Sequence, residues 1–280
     1  GSINCARGCA FIAISELLWK HPELADHFNV TLKHAAKEES PAVLFAVMCC
    51  AVPWYNIDKA YSKELFDTLL ERDLRTLGVE QAWDLLNRFY VLSPQFYTEK
   101  LRNACESSIA DLRTCAAQMI ANLAIMDCWT TNDILELALD EQQMDIICRQ
   151  AVIHFNHEKG HVRCKQLILT LAEHSTNLSS LSLLLHNQRI QISRDKDFLA
   201  KLLETKCYSK IYKDTLHYLR EVDVNFRDCS DILLIICKAF SYDGGDSLRY
   251  HIDDLIFCVA RLFHAGKNDP AILRTCLDIW

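Results

Sequence analysis

The sequence predicts an all-α protein, a right-handed α–α superhelix of helical hairpins, and three observations carry that prediction. Apolar residues recur with helical rather than strand spacing along almost the whole chain. Glycine (7) and proline (5) are scarce among 280 residues, which points to long helices and few tight turns. Similar helices return at intervals of about 36 residues, within the range of helical-hairpin repeats. No stretch reads convincingly as a strand.

Taken in order, residues 4–20 place Ala6, Ala10, Ala13, Ile14 and Leu17 on one helical face, with Gly8 marking a close helix crossing. Pro22 ends that helix and opens another over 22–37. Ser40 and Pro41 form a start signal, a cap followed by proline at the first helical position. The helix they open is apolar all round, which predicts burial on every side, and Pro53 is expected to stop it. Asp58 opens a helix with Tyr61, Leu65, Leu69 and Leu70 inward, and Gly78 follows as its C-terminal signal. Residues 79–92 and 94–105 form the next pair.

The clearest stripe runs over 108–124. Ile109, Leu112, Ala116, Met119, Ile120 and Leu123 share one face, while Asp111, Thr114, Gln118 and Asn122 turn away from it. Ser108 is placed to cap this helix and Asp111 to complete a capping box. Helices over 131–140 and 143–156 follow, the latter aligning Met144, Ile147, Cys148, Ala151 and Phe155. Gly160 marks a break before the stripe of Cys164, Leu167, Ile168, Leu171 and Ala172. A serine-rich stretch, 175–182, reads as a change of register between a regular part, 3–175, and an irregular one, 176–280. The second part has stripes at 197–206, 208–220 and 226–240, then a loop at Asp243, Gly244, Gly245 and Asp246. Leu248, Ile252, Leu255, Ile256, Val259, Leu262 and Phe263 then make a strongly amphipathic helix, and Pro270 starts the last one. Gly1 and Ser2 read as an expression scar, and the apolar face running into Trp280 reads as a chain cut from something longer.

Composition narrows the classes of function. A net charge of −7 argues against nucleic acid or an anionic membrane as the main partner. It leaves a protein, or other domains of the same chain, as the expected one. The most basic window, 189–213, is diluted by Asp195, Asp197 and Glu204 and reads as a solvated face. No apolar run reaches the roughly 18 residues of a membrane span. The 14 cysteines contain no CxxC pair, and many sit within helical apolar runs, where a thiol behaves as a small hydrophobe. That places the chain in a reducing compartment, the cytoplasm. Vicinal Cys49 and Cys50, in an all-apolar helix, read as packing rather than redox chemistry.

The repeat aligns positions Arg7, Leu44, Glu80, Arg113 and Arg149. Arg7, Arg113 and Arg149 are expected to reach back to the preceding hairpin, with small or apolar residues after them that let helices approach. Leu44 and Glu80 lack the arginine, and after residue 180 the period is no longer legible. The pattern resembles HEAT repeats, and more loosely armadillo repeats. The opening segment, INCARGCAFIAISELLWKHPE, is similar to part of large bacterial NTPases of the STAND class. In these a helical-repeat C-terminal region follows the ATPase and reads an intruder's molecule, as in anti-phage defence. The resemblance implies a sensor or scaffold portion without its motor, since no GxxxxGK[ST] occurs here; Ala6 stands where valine is usual.

One motif points to chemistry. His157, Glu158, Lys159, Gly160 and His161 spell H-E-x-x-H, in which two histidines one helical turn apart hold zinc and the glutamate is general base. His154 and Cys164 flank it. The context argues against this reading: Gly160 falls between two helical stripes, Lys159 and Gly160 replace apolar residues, and no glutamate stands at the distance of a third ligand. The motif is therefore read as an inter-helix turn. A zinc-dependent hydrolase using His157, Glu158 and His161 is the alternative. No nucleophile elbow, kinase set or phosphate loop occurs, and no cofactor is expected. Trp54 and Tyr55 after Pro53, and Phe96 and Tyr97 after Pro94, are aromatics in expected turns and the candidate partner-binding residues. The expected function is a non-enzymatic recognition or scaffold module, with a generic intracellular adaptor solenoid as a third reading.

Overall fold

The computed structural model of the chain describes residues 6–187, 189–242 and 248–279, the side chains of 239–250 excepted. Among the described residues there is no strand, and sixteen α-helices are joined by short turns, several of them 3-10. None of these helices is long and apolar enough to cross a membrane. The expected loop at 243–246, the scar at Gly1 and Ser2, and Trp280 lie outside the described residues. The chain divides into two compact units, Gly1–Leu123 with Ile134–Leu139, and Ala124–Asp133 with Asp140–Trp280.

The first unit begins with α1 (Ala6–Lys20), α2 (Ala25–Ala35), α3 (Pro41–Ile57), α4 (Lys59–Arg72), α5 (Glu80–Phe89) and α6 (Pro94–Cys105). α3 is its centre. Val43, Leu44, Ala46, Val47, Met48, Cys50 and Ala51 are buried, as an all-apolar helix requires, and α1, α2, α4 and α5 all pack on it. Asp58 caps α4 by accepting from the backbone N–H groups of Ala60 and Tyr61, and Tyr61, Leu65, Leu69 and Leu70 are buried as expected.

Two expectations for this unit are corrected together. Pro53 does not stop α3, which continues to Ile57. The inner face of α1 is not the alanine face but Gly8, Phe11, Ser15 and Leu18, while Leu17 is exposed. A proline inside a helix has no N–H for the carbonyl four residues back, here that of Cys49. Ser15 of α1 donates its hydroxyl to that carbonyl at 2.8 Å. The serine faces inward because it satisfies the acceptor that the proline orphans, and the larger Phe11 and Leu18 follow it into the core.

α7 (Ala110–Ile125) buries Leu112, Ala116, Met119, Ile120 and Leu123, the expected stripe, while Ile109 lies before the helix and is exposed. Ser107, not Ser108, sits under the start, its hydroxyl accepting from the Ile109 N–H at 3.1 Å. α8 is only Thr131–Leu135, shorter than the expected 131–140.

The second unit carries α9 (Glu141–Ile153), α10 (His161–His174), α11 (Ser182–His186), α12 (Ile192–Leu203), α13 (Tyr208–Glu221), α14 (Ser230–Tyr242), α15 (Leu248–Gly266) and α16 (Pro270–Ile279). Within it, helices pack on the helix two places along: α11 on α13, α13 on α15, α10 on α12, α12 on α14, and α14 on α16. α1 on α3 and α3 on α5 repeat the arrangement in the first unit. The regular spacing therefore persists in the packing beyond residue 180, where the sequence no longer displays it.

Side-chain bonds follow the same spacing. In the first unit, Ser15 to the Cys49 carbonyl, Tyr61 to the Asn29 carbonyl, Arg72 to the Glu38 carbonyl and Tyr97 to Asp67 bridge 34, 32, 34 and 30 residues. In the second, Ser179 to Asp145, Arg189 to the Ile153 carbonyl and Arg220 to Asp254 bridge 34, 36 and 34. The serine-rich stretch is one of these joints. Ser175 and Ser180 are buried, Ser175 bonds Glu141, and Asp145 accepts from the Ser180 hydroxyl and N–H at 2.8 and 2.9 Å. Serines serve here because each reaches a carboxylate of α9 without needing room for a long side chain.

The Pro53–Cys49–Ser15 arrangement yields a double-mutant prediction. Ser15→Ala leaves a buried carbonyl without a donor and is expected to cost about 1–3 kcal/mol in urea unfolding. In a Pro53→Ala background the introduced alanine brings its own backbone N–H, and the penalty of Ser15→Ala should shrink by about half or more. Equal penalties in both backgrounds contradict the account.

Candidate functional site

In the first unit the predicted aromatics belong to a chain of rings. Tyr55 lies 5.5 Å from Phe89, Phe89 6.2 Å from Phe66, Phe66 5.7 Å from Tyr97, and Tyr97 5.1 Å from Phe96, centroid to centroid. Such separations suit tilted aromatic contacts. Trp54 stands apart, packed on Tyr61 at 4.1 Å. Trp54 is 3% exposed inside α3 and Tyr97 is fully buried inside α6, so neither presents a ring to a partner. Burial and the bond from its hydroxyl to Asp67, 2.6 Å away, hold the Tyr97 phenol well above its ordinary value.

Tyr55 and Phe96, at the two ends of the chain of rings, are half-buried and reach the surface. The Arg88 guanidinium lies 4.5 Å and the Lys59 ammonium 5.3 Å from the Tyr55 ring centroid. Lys100 stands 5.1 Å from the Phe96 ring. These are cation–π distances, and they leave two aromatic rings edged by three cations. The turn joining α5 to α6 adds exposed Val91 and Leu92. Lys100 was legible, four residues after Phe96 on one helix. Arg88 was not, because it comes from a different helix than Tyr55.

In the second unit, the H-E-x-x-H residues do not form a metal centre. α9 ends at Ile153 and α10 begins at His161, so the motif is the turn between them. His157, Glu158 and Lys159 are exposed, whereas Gly160 is buried; a Cβ on Gly160 would lie 3.0 Å from Ile125 Cγ2. Glycine is there to let α10 approach the end of α7. His161 turns away from His157. Its Nδ1 is 2.6 Å from the Phe155 carbonyl oxygen and its Nε2 is 3.0 Å from Asp195, so both ring nitrogens face protein oxygens. Among the described residues no group of three histidines, cysteines or carboxylates converges as a metal site needs. The donor set does not fit zinc.

What His161 joins is a buried carboxylate. Asp195 in α12 is completely buried. Its Oδ1 accepts from His161, from Lys165 at 2.6 Å and from Arg194 Nε at 3.0 Å. Its Oδ2 accepts from the Gln191 N–H at 3.0 Å and Arg194 Nη2 at 2.8 Å. Arg194 also reaches Asn156 Oδ1 at 3.0 Å, and the His161 ring packs edge-on against Phe155 at 4.7 Å. Burial alone would raise the Asp195 carboxyl, but the bonds from Arg194, Gln191 and Lys165 outweigh it and hold the group at about 2. The cluster ties α10, α12 and the turn after α9 into one piece.

The arginines of the sequence repeat make different kinds of contact. Arg7 pairs with Glu38 at 2.5 Å, Arg113 donates to the Ser107 carbonyl beside its own helix at 2.9 Å, and Arg149 is exposed. Arg72, Arg163 and Arg189 also reach across 34 to 38 residues, donating to the carbonyls of Glu38, Ile125 and Ile153 at or just beyond helix ends. Cys50 is buried, its thiol donating to the Phe11 carbonyl at 3.1 Å, and burial pushes it up. Burial likewise holds the Cys148, Cys229 and Cys258 thiols up to about 12, so these sulfurs stay protonated and unreactive. No protein-family model, curated protein or solved structure matches this chain.

Asp195→Asn removes the carboxylate facing Lys165 and Arg194 and is expected to cost about 3 kcal/mol in equilibrium unfolding. Because the folded carboxyl lies below its ordinary value of 3.8, its contribution is complete above about pH 4 and is lost as the pH falls toward 2. Unfolding followed from pH 5 to 2 should therefore fall more steeply in the parent than in Asp195→Asn. Parallel curves contradict the assignment.

Proposed function

We propose that this chain is a non-enzymatic recognition or scaffold module, a HEAT-like α-solenoid that binds a protein partner over a surface rather than in a pocket. The observation that carries the reading is the packing of helices on the helix two places along, α1 on α3 and α3 on α5 in the first unit and α10 through α16 in the second, with side-chain bonds bridging 30 to 38 residues. Stacked hairpins have this connectivity, and arrays of them function by offering extended faces. The rings of Tyr55 and Phe96, edged by Lys59, Arg88 and Lys100, are the contact surface of the module. Three cations on two aromatic rings suit a partner segment that presents carboxylates. The resemblance of the opening segment to STAND-class NTPases supports placing the module in a bacterial anti-phage defence protein, as the portion that reads the intruder. An ATPase carrying GxxxxGK[ST] upstream in the full coding sequence is what that placement requires.

Two measurements test the reading. A solenoid of 280 residues should scatter X-rays with a radius of gyration several ångströms above the roughly 19 Å of a compact chain of that length. A value at or below the compact one removes the solenoid. A photo-crosslinking residue at Tyr55 or Phe96 should capture the same polypeptide in the native cell, with capture lost on Arg88→Glu and none from position Arg149. Capture from Arg149 as strong, or indifferent to Arg88→Glu, removes that surface.

A further inference from the structure

α15 keeps its predicted stripe but does not bury all of it. Cys258 and Leu262 are fully buried against the unit, whereas Ile252, Ile256 and Phe263 are 39%, 49% and 50% exposed. With α14 and α16 they wall an apolar groove of about 1260 Å³, to which α16 contributes Leu273 and Leu277. Leu277 is 71% exposed. In the rest of the unit, stripes of this kind are covered by a helix packed alongside, α11 by α13, α12 by α14 and α13 by α15. The groove continues those helix–helix interfaces, and what fits it is another amphipathic helix.

The spacing of the residues with which α15 lines the groove says which helix, Val259 among them being half-buried. From Ile252 to Ile256, Val259 and Phe263 the steps are four, three and four residues, the same in either direction. Two copies of α15 packed antiparallel about a two-fold axis between Phe257 and Cys258 therefore set Ile252 against Phe263 of the second copy, and Ile256 against its Val259, twice over. The polar flank has the same symmetry. Asp253 and His264 lie about 100° and 120° round the helix from Ile252, on the same side of the stripe. Both are exposed. The axis brings Asp253 of each copy within one helical turn of His264 of the other, a carboxylate opposite an imidazole. We infer that this face of α15 is an interface with a second copy of the chain, an isologous antiparallel helix pair that closes as a dimer. It is independent of the Tyr55 and Phe96 surface, which belongs to the first unit.

Sedimentation velocity of the full chain over a range of concentrations tests this. The parent should sediment as a dimer in reversible exchange with monomer. Ile256→Asp puts a charge at the centre of the pairing on an already exposed position and should raise the dissociation constant by at least about thirtyfold, with the far-UV circular dichroism unchanged. Asp253→Lys should weaken the dimer several-fold, and adding His264→Asp should restore it, because the pair is then exchanged rather than broken. A monomer at every concentration, a dimer indifferent to Ile256→Asp, or a double variant no tighter than Asp253→Lys alone each overturns the assignment and leaves the groove to a helix of another protein or segment.

Discussion

A helix that is apolar along a single stripe must have that stripe covered by another helix, and in this protein much of the cover comes from about 35 residues along the chain. Everything else in the two units follows from that constraint. Neighbouring hairpins meet through like helices, α1 with α3, α10 with α12, α12 with α14. Of the polar groups caught in those contacts, some, such as Ser62 and Thr215, bond carbonyls nearby in sequence, while others find partners at the same distance along the chain. Ser15 and the Cys49 carbonyl are the clearest instance, since the acceptor exists only because Pro53 cannot supply its N–H.

The charged cluster at Asp195 obeys the same rule with higher stakes. A carboxylate taken out of water is tolerated only when donors surround it, and Arg194, Lys165, His161 and the Gln191 N–H do so from two hairpins. That explains why a literal zinc motif carries no zinc geometry. The histidine that would be the second ligand is already committed to a neighbour 34 residues away, and the first lies in an exposed turn. Turns between hairpins collect glycine and polar residues, so they produce such motifs without the helix that gives the motif its meaning.

Surfaces left over by the stacking are where binding readings concentrate. In the first unit, rings that begin as core emerge at Tyr55 and Phe96 and are edged by cations. In the second, α15 has a stripe wider than its own unit covers, and the excess is Ile252, Ile256 and Phe263. Both features combine a packing function inside with an exposed remainder.

The sequence by itself determined the helical class, the α3 core, the α7 stripe, the start of α4 at Asp58 and the spacing that returns in the odd-numbered helices up to α9. These are local: periodicity, caps and composition act within one or two turns, so they are legible in one dimension. Which face of α1 turns inward, whether Pro53 ends its helix, which arginines bridge hairpins, where His161 points and how much of the α15 stripe stays open were decided only by tertiary structure. Most of those depend on a group some 30 to 40 residues away, whose presence no local pattern records. A stripe tells a helix that it must be covered; only the packed neighbours decide by what.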